Sequence, residues 1–262
     1  LHLLIAEKLI AESFSGGIMS DKVAFITGGA RGIGRAVALD LAGRGWSIAI
    51  CYRTSAKEGA EVIDAVQKKG SKGLALQCDV SKPQAAQQMV KRVEEEWKRI
   101  DALINCAGPY HRVNLLEESI EGWHSMFDNN LHPVFYLSQA VIPGMIERKW
   151  GRILCFSMAN ADQLIAQPQL TAHYIAKVGL LVLTRSLARV VAPHGITVNA
   201  ISPGFIDTGS APKEELNAMA KRIPAGYVGT LEDAVSVVRF LLSDEARYIN
   251  GANIHVSGAW GI

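Results

Sequence analysis

An α/β fold on a doubly wound parallel sheet of about seven strands is what this 262-residue sequence predicts. Short apolar runs alternate with amphipathic helical stretches along the chain, and aliphatic residues outnumber aromatics in the apolar fraction. Neither an internal repeat nor a flexible linker interrupts the alternation. Right-handed crossovers and a chain reversal after the third strand then give the order 3-2-1-4-5-6-7, with helices on both faces in three layers.

Taken in order, Val23 to Ile26 reads as the first strand, followed by a Gly-rich turn and a helix from Gly32 to Arg44. Ser47 to Tyr52, Gly73 to Cys78 and Asp101 to Cys106 are the next strands, with helices at Ala56 to Lys69 and Lys82 to Trp97 between them. One long helix is expected across Glu121 to Glu147, bent at Pro133 and Pro143. Arg152 to Phe156 and Thr197 to Ile201 flank a helix from His173 to Val191. A polar loop, a helix at Leu231 to Leu242 and a strand at Ala252 to Val256 close the sheet.

The net charge of +2, with dispersed basic residues, gives no nucleic-acid footprint. Cys51, Cys78, Cys106 and Cys155 lie in or beside predicted strands without disulfide or zinc spacing, so neither bridges nor a metal site are expected. That usage fits a reducing compartment, and no apolar run reaches the ~18 residues of a membrane span, so a cytoplasmic protein is expected. Leu1 to Ser13 reads as a short amphipathic helix ahead of the pattern that begins at Lys22. Met19 is a natural start, so residues 1–18 are expected to be an extension to a single domain over 19–262.

Thr27-Gly28-Gly29-Ala30-Arg31-Gly32-Ile33-Gly34 joins the first strand to the first helix. Glycines there permit a tight turn and close approach to a pyrophosphate, and the helix N-terminus supplies amide donors. The spacing Gly-x-x-x-Gly-x-Gly resembles that of the short-chain dehydrogenase/reductase family. Other segments resemble family motifs in the same order: Cys78-Asp79-Val80, Asn105-Cys106-Ala107-Gly108, Asn130, and Pro203-Gly204-Phe205-Ile206-Asp207-Thr208. The resemblance covers Lys22 to Gly261 and implies a Rossmann-like dinucleotide-binding fold. Cofactor contacts are implied for Gly28, Gly32, Ile33, Gly34, Asp79, Val80, Asn105, Ala107, Gly108, Pro203, Gly204, Ile206 and Thr208, and for Tyr174 and Lys177. The second strand ends without the carboxylate that holds the ribose of NAD. Arg53, with Arg31 nearby, can instead fork onto a 2′-phosphate, so the expected cofactor is NADP(H).

Reducing a carbonyl requires a hydride on carbon and a proton on oxygen. The resemblance implies that Ser157 polarises the carbonyl, Tyr174 donates the proton, Lys177 tunes it and binds ribose, and Asn130 holds a water relay. One departure is plain. The family pattern is Tyr-x-x-x-Lys, whereas this chain has Tyr174-Ile175-Ala176-Lys177, with His173 four residues before the lysine. The sequence after Lys177 matches the family without a gap, which secures the lysine. Three arrangements are open: a tightened or 3₁₀ first turn that restores Tyr174, His173 as the acid, or altered catalysis. The gap from Ser157 to Tyr174 is also long for the family, so the Gln163 to Gln169 loop is expected to reshape the pocket, and the assignment of Ser157 stays open.

Specificity is expected from the segments Pro109 to Glu118, Met158 to Thr171 and Phe205 to Tyr227, with Tyr110, His111, Arg112, Asn160, Asp162 and Tyr227 as pocket candidates. The resemblance is nearest to the 3-oxoacyl thioester reductase branch, and pteridine, sugar and steroid-type ketone reductases share its features. The alternative class is an NADP(H)-binding regulator. Glu147-Arg148-Lys149 and Arg152 form either a contact for an acidic carrier protein or a solvated helix end. Apolar residues beyond one face's needs (Phe135, Leu137, Leu181, Leu183), with the family's mode of assembly, imply a homotetramer.

Overall fold

A computed structural model describes residues 22–209 and 211–262; the expected extension at 1–18 and Met19 lie outside the described residues. Seven strands form one parallel sheet in the order β3-β2-β1-β4-β5-β6-β7. The strands are β1 (Val23–Thr27), β2 (Ser47–Tyr52), β3 (Gly73–Gln77), β4 (Ala102–Asn105), β5 (Gly151–Phe156), β6 (Ile196–Pro203) and β7 (Asn253–Val256). The helices are α1 (Gly32–Ala42), α2 (Ala56–Lys68), α3 (Pro83–Trp97), α4 (Ile120–Asn130), α5 (His132–Arg148), α6 (Thr171–Val191), α7 (Lys213–Ala220) and α8 (Leu231–Leu242).

Alternation along each strand divides the core into two layers. Val23, Phe25, Leu103, Ile153 and Cys155 face α3, α5 and α6, where they meet Val90, Leu137 and Leu180. Ala24, Ile26, Ile50, Ile104 and Leu154 face the opposite layer of Val37, Val62 and Val235 on α1, α2 and α8. Both strand faces are covered, which is why these strands read as continuous apolar runs.

Two expectations are corrected. The stretch from Glu121 to Glu147 is two helices, because the chain turns at Leu131 (φ −108°, ψ −54°) and Pro133 lies in the first turn of α5. There a proline ring finds its pre-set φ and has no N–H to lose, while Pro143 is carried inside α5. Also, α7 occupies part of what reads as a polar loop; its short length and lack of buried residues leave no apolar stripe in the sequence.

Asp101 pins the entry to the sheet. Its carboxylate is fully buried, accepts the backbone N–H of Val23 at 2.8 Å, and takes a two-pronged grip from Arg99 at 2.8 and 2.9 Å. Arg148 stands 3.6 Å away. Asp101→Ala is therefore expected to destabilise the fold by about 3 kcal/mol in urea denaturation, since it strands a buried amide and two guanidinium groups.

Candidate active site

Carboxyl ends of parallel strands bring loops together on one edge, and two cavities open there. The first, of about 330 Å³, is lined by Gly28, Ala30 and Arg31 after β1, by Cys51 to Ser55 after β2, by Cys78, Asp79 and Val80 after β3, and by Cys106 to Pro109 after β4. The glycines are needed for backbone approach. Gly28 has φ +65°, and a Cβ on Gly34 would lie 2.6 Å from the Gly28 carbonyl oxygen. Arg31, at the N-cap of α1, makes no side-chain capping bond, so the leading amides of α1 are available to an anion. Arg53 reaches Asn129 Oδ1 at 3.3 Å, and no carboxylate lines the end of β2. Asp79 accepts the Ser81 amide at 3.1 Å; desolvation works against its charge, but Ser81 and the nearby Arg53 hold it below the usual carboxylate range.

At the inner end of this cavity lies Gly108. A Cβ there would stand 2.7 Å from Asn130 Oδ1 and 3.1 Å from Lys177 Nζ. Asn130 Nδ2 donates to the carbonyls of Pro109 and Met126 at 3.0 and 2.9 Å, which leaves its buried Oδ1 without a partner. Lys177 Nζ donates to the Phe156 carbonyl at 2.7 Å, at the carboxyl end of β5. Burial pushes this ammonium down to about 8, against the weaker opposing influence of Cys155 and Cys106.

Beyond Gly108 a larger cavity of about 710 Å³ opens, lined among others by Tyr110, Ser157, Asn160, His173, Phe205 and Trp260. One wall comes from the segment after β5 and from His173 on α6, and the facing wall from the segment after β6, where Phe205 and Met219 lie with Glu215 and Arg222.

A family profile described as enoyl-(acyl carrier protein) reductase matches residues 28–260. The 3-oxoacyl-[acyl-carrier-protein] reductase of Staphylococcus epidermidis is 35% identical over 241 residues, 91% of this chain and 98% of its own. The Escherichia coli enzyme of that name is 37% identical, over 90% and 96%. The chain belongs to the short-chain dehydrogenase/reductase family. Among solved structures, a short-chain alcohol dehydrogenase from Sinorhizobium meliloti superposes with a TM-score of 0.84 at 30% identity, covering 91% of this chain and 96% of its own. Acetoin dehydrogenase from Salmonella typhimurium gives 0.84 at 28%, covering 91% and 95%.

Against that family frame, most residues singled out from sequence converge. Gly28, Arg31, Arg53, Asp79, Val80, Ala107 and Gly108 line the first cavity, and Pro203 and Gly204 line the second. Thr208 lies over the glycine turn, its Cγ2 3.7 Å from where a Cβ on Gly32 would stand. Others stand back. Ile33 packs into the core beneath α1. Asn105 donates to the Leu154 carbonyl at 3.3 Å, tying β4 to β5. Ile206 pairs with Gly229 and lines a separate cavity of about 230 Å³ with Tyr227.

The displaced tyrosine has a definite place. α6 is α-helical from Thr171, with the Tyr174 amide bonded to the Leu170 carbonyl at 2.8 Å, so no 3₁₀ turn restores the side chain. Tyr174 instead faces a groove formed with Leu164, Ile165 and Val178. Its hydroxyl donates to the Asn160 carbonyl at 2.8 Å and accepts the Ile165 amide at 3.1 Å. His173 is the residue of this pair that lines the large cavity. Ser157 also lines it, but its hydroxyl donates back to the Lys177 carbonyl at 3.1 Å.

Sequence reasoning singled out other residues that have structural duties. His111 is bonded to Glu118 at 2.7 Å, and Asp162 to His255 at 2.9 Å, so neither lines the cavity as expected. Arg148 braces Asp101, and Arg152 is buried, with Trp150 beneath its guanidinium at 4.3 Å and Asp244 at 3.3 Å. Arg148 and Arg152 are thus engaged within the fold, while Glu147 and Lys149 remain exposed at the end of α5. Asn160 was named only as a pocket candidate. It has a left-handed φ of +61° and a buried, unpartnered Oδ1, and no sequence motif marks that.

Lys177 carries a stability consequence. Its folded-state pKa lies below the ordinary 10.5, so its contribution to stability is fully present above pH 10.5 and is lost as pH falls toward 8. At pH 7 the buried ammonium opposes folding. Lys177→Met is expected to raise unfolding stability at pH 7 by about 1–3 kcal/mol, with a smaller gain at pH 10, as paired urea titrations would show.

Proposed function

We propose that this protein is an NADP(H)-dependent reductase of carbonyl compounds, with 3-oxoacyl thioesters as the substrate class. The observation that carries the reading is the succession of two cavities along the loop after β4, the first lined by Gly108 and Pro109 and the second by Tyr110, with Asn130 Oδ1 and Lys177 Nζ converging behind Gly108. One cavity is basic and glycine-walled, suited to a dinucleotide; the other is roomy and part apolar, suited to a carbonyl substrate with an extended tail. The glycine turn and the open N-terminus of α1 fit a pyrophosphate. Arg31 and Arg53, with no carboxylate at the end of β2 and Asp79 across the cavity after β3, fit a 2′-phosphate. When bound, the nicotinamide supplies the hydride.

The chain's own residues supply the remainder. Lys177, whose Nζ lies beside Gly108, would hold the nicotinamide ribose, and the unpartnered Asn130 Oδ1 would hold a water beside it. Ser157 and Asn160 offer polar groups to the substrate end of the cavity. Relatives named as reductases of 3-oxoacyl-[acyl-carrier-protein] support the thioester class, while pteridine, sugar and steroid-type ketones are the competitors to be assayed beside it. Assembly as a homotetramer rests on exposed apolar positions of α5 and α6, namely Phe135 at 46% and Val182 at 59% exposure. Leu137 and Leu181, which suggested it from sequence, are core residues.

A second reading, an NADP(H)-binding regulator without turnover, is favoured by the Tyr174 hydroxyl being taken up by the 160–165 loop. NADPH oxidation against acetoacetyl-CoA and a panel of ketones decides between them: turnover establishes the reductase, and tight NADPH binding without turnover the regulator. Within either reading, Arg53→Ala is expected to weaken NADPH binding roughly tenfold while leaving NADH binding unchanged. Fluorescence titration measures both, and equal losses for the two cofactors would refute the 2′-phosphate contact.

A further inference from the structure

We infer that His173, rather than Tyr174, exchanges the proton with the substrate oxygen, so that the acid–base group of this site is an imidazole. The inference rests on the reductase reading above. His173 and Lys177 are separated by four residues on a regular α-helix and so share a face. His173 lies in the wall of the substrate cavity with Ser157 and Asn160. Its Nδ1 is buried with no hydrogen-bond partner in the protein, so the ring that lines the cavity is not committed to a structural side-chain bond.

Tyr174 cannot take that place within this fold. Successive helical residues point about 100° apart. Turning α6 by that step would withdraw Lys177 from the Phe156 carbonyl and break both bonds of the Tyr174 hydroxyl. It would also pull Leu180 out of the core layer that it shares with Leu137 and Ile153.

The chemistry balances with an imidazole. In the reductive direction the imidazolium N–H bond breaks and the alcohol O–H bond forms, while the carbonyl carbon accepts the hydride of the reduced nicotinamide cofactor. In the oxidative direction the alcohol O–H breaks, the neutral ring takes the proton, and the hydride leaves to the oxidised cofactor.

The groups facing the ring determine its charge. They are Lys177 on α6, with Tyr110, His111 and the Pro109 carbonyl on the loop after β4; Glu215 and Arg222 lie across the cavity. Burial first, then Lys177, push His173 down to about 4, against the Pro109 carbonyl, which favours the protonated ring. At pH 7 the imidazole is therefore neutral. Reductive kcat/KM should fall as pH rises above about 5, because the protonated fraction shrinks about tenfold per unit. Oxidative kcat/KM, which uses the neutral ring, should be level over the same range.

The test compares the wild-type protein with His173→Ala, His173→Gln and Tyr174→Phe. NADPH affinity is read by fluorescence, turnover with acetoacetyl-CoA, and the His173 imidazole carbon by NMR in the wild type with NADP⁺ and acetoacetyl-CoA added. Both His173 variants are expected to lose roughly 100-fold in kcat with NADPH affinity held. Tyr174→Phe, which loosens the 160–165 loop and removes no reacting group, should raise KM for acetoacetyl-CoA while kcat stays within about threefold, and acetoacetyl-CoA should shift the His173 signal. Loss of turnover in Tyr174→Phe with His173→Gln active, or turnover untouched in all three variants, overturns the inference. So does a wild-type protein that binds NADPH yet shows no shift at His173. Failure to bind NADPH at all defeats the reductase reading itself, and the inference with it.

Discussion

The bond from Lys177 Nζ to the Phe156 carbonyl is the constraint on which the site's geometry turns. It ties α6 to the carboxyl end of β5, and together with the core packing of Leu180, Ala188 and Val191 it holds one rotation of the helix about its axis. Once that rotation is set, every neighbour of Lys177 has a determined direction: His173 toward the substrate cavity, Tyr174 away from it. Only a glycine at position 108 lets the loop after β4 pass between Asn130 and the ammonium. A buried ammonium opposes folding, and the site keeps it behind Gly108, which lines the first cavity.

The loop from Ser157 to Leu170 adapts to the helix. Asn160 and Leu164 both adopt left-handed backbone conformations, at φ +61° and +53°, strain that a leucine accepts only when its surroundings hold it. The Tyr174 hydroxyl is part of that hold, bonded once to Asn160 and once to Ile165. A side chain that reads as chemistry by its position in a motif has become a fastener for the loop that shapes the substrate cavity. The same loop brings Asn160 into the cavity wall with an unpartnered amide oxygen.

The sheet order and the glycine turn were legible because their signals are local. Buried strands appear as apolar runs, and a turn that must approach a ligand closely shows its glycines at Gly28, Gly32 and Gly34. The reach of the resemblance, from Lys22 to Gly261, agrees with a family profile matching residues 28–260. Legibility failed where a residue's role depends on a distant partner. Arg148 and Arg152 look solvated until Asp101, Trp150 and Asp244 are brought beside them, and His111 looks available until Glu118 takes it. The break at Leu131 was hidden because an apolar pattern can cross a helix junction without a change of period.

By itself the sequence determined the fold class, the strand order, the glycine turn, and a lysine held in register by the ungapped stretch after it. It also showed that the tyrosine stands one residue from its usual place. Only the tertiary structure decided what that step means, because the direction of a side chain on α6 depends on how the helix is rotated against β5. That rotation is held by Leu180, Ala188 and Val191 in the core and by Lys177 meeting a carbonyl 21 residues away in the chain, contacts that spacing within the helix cannot reveal.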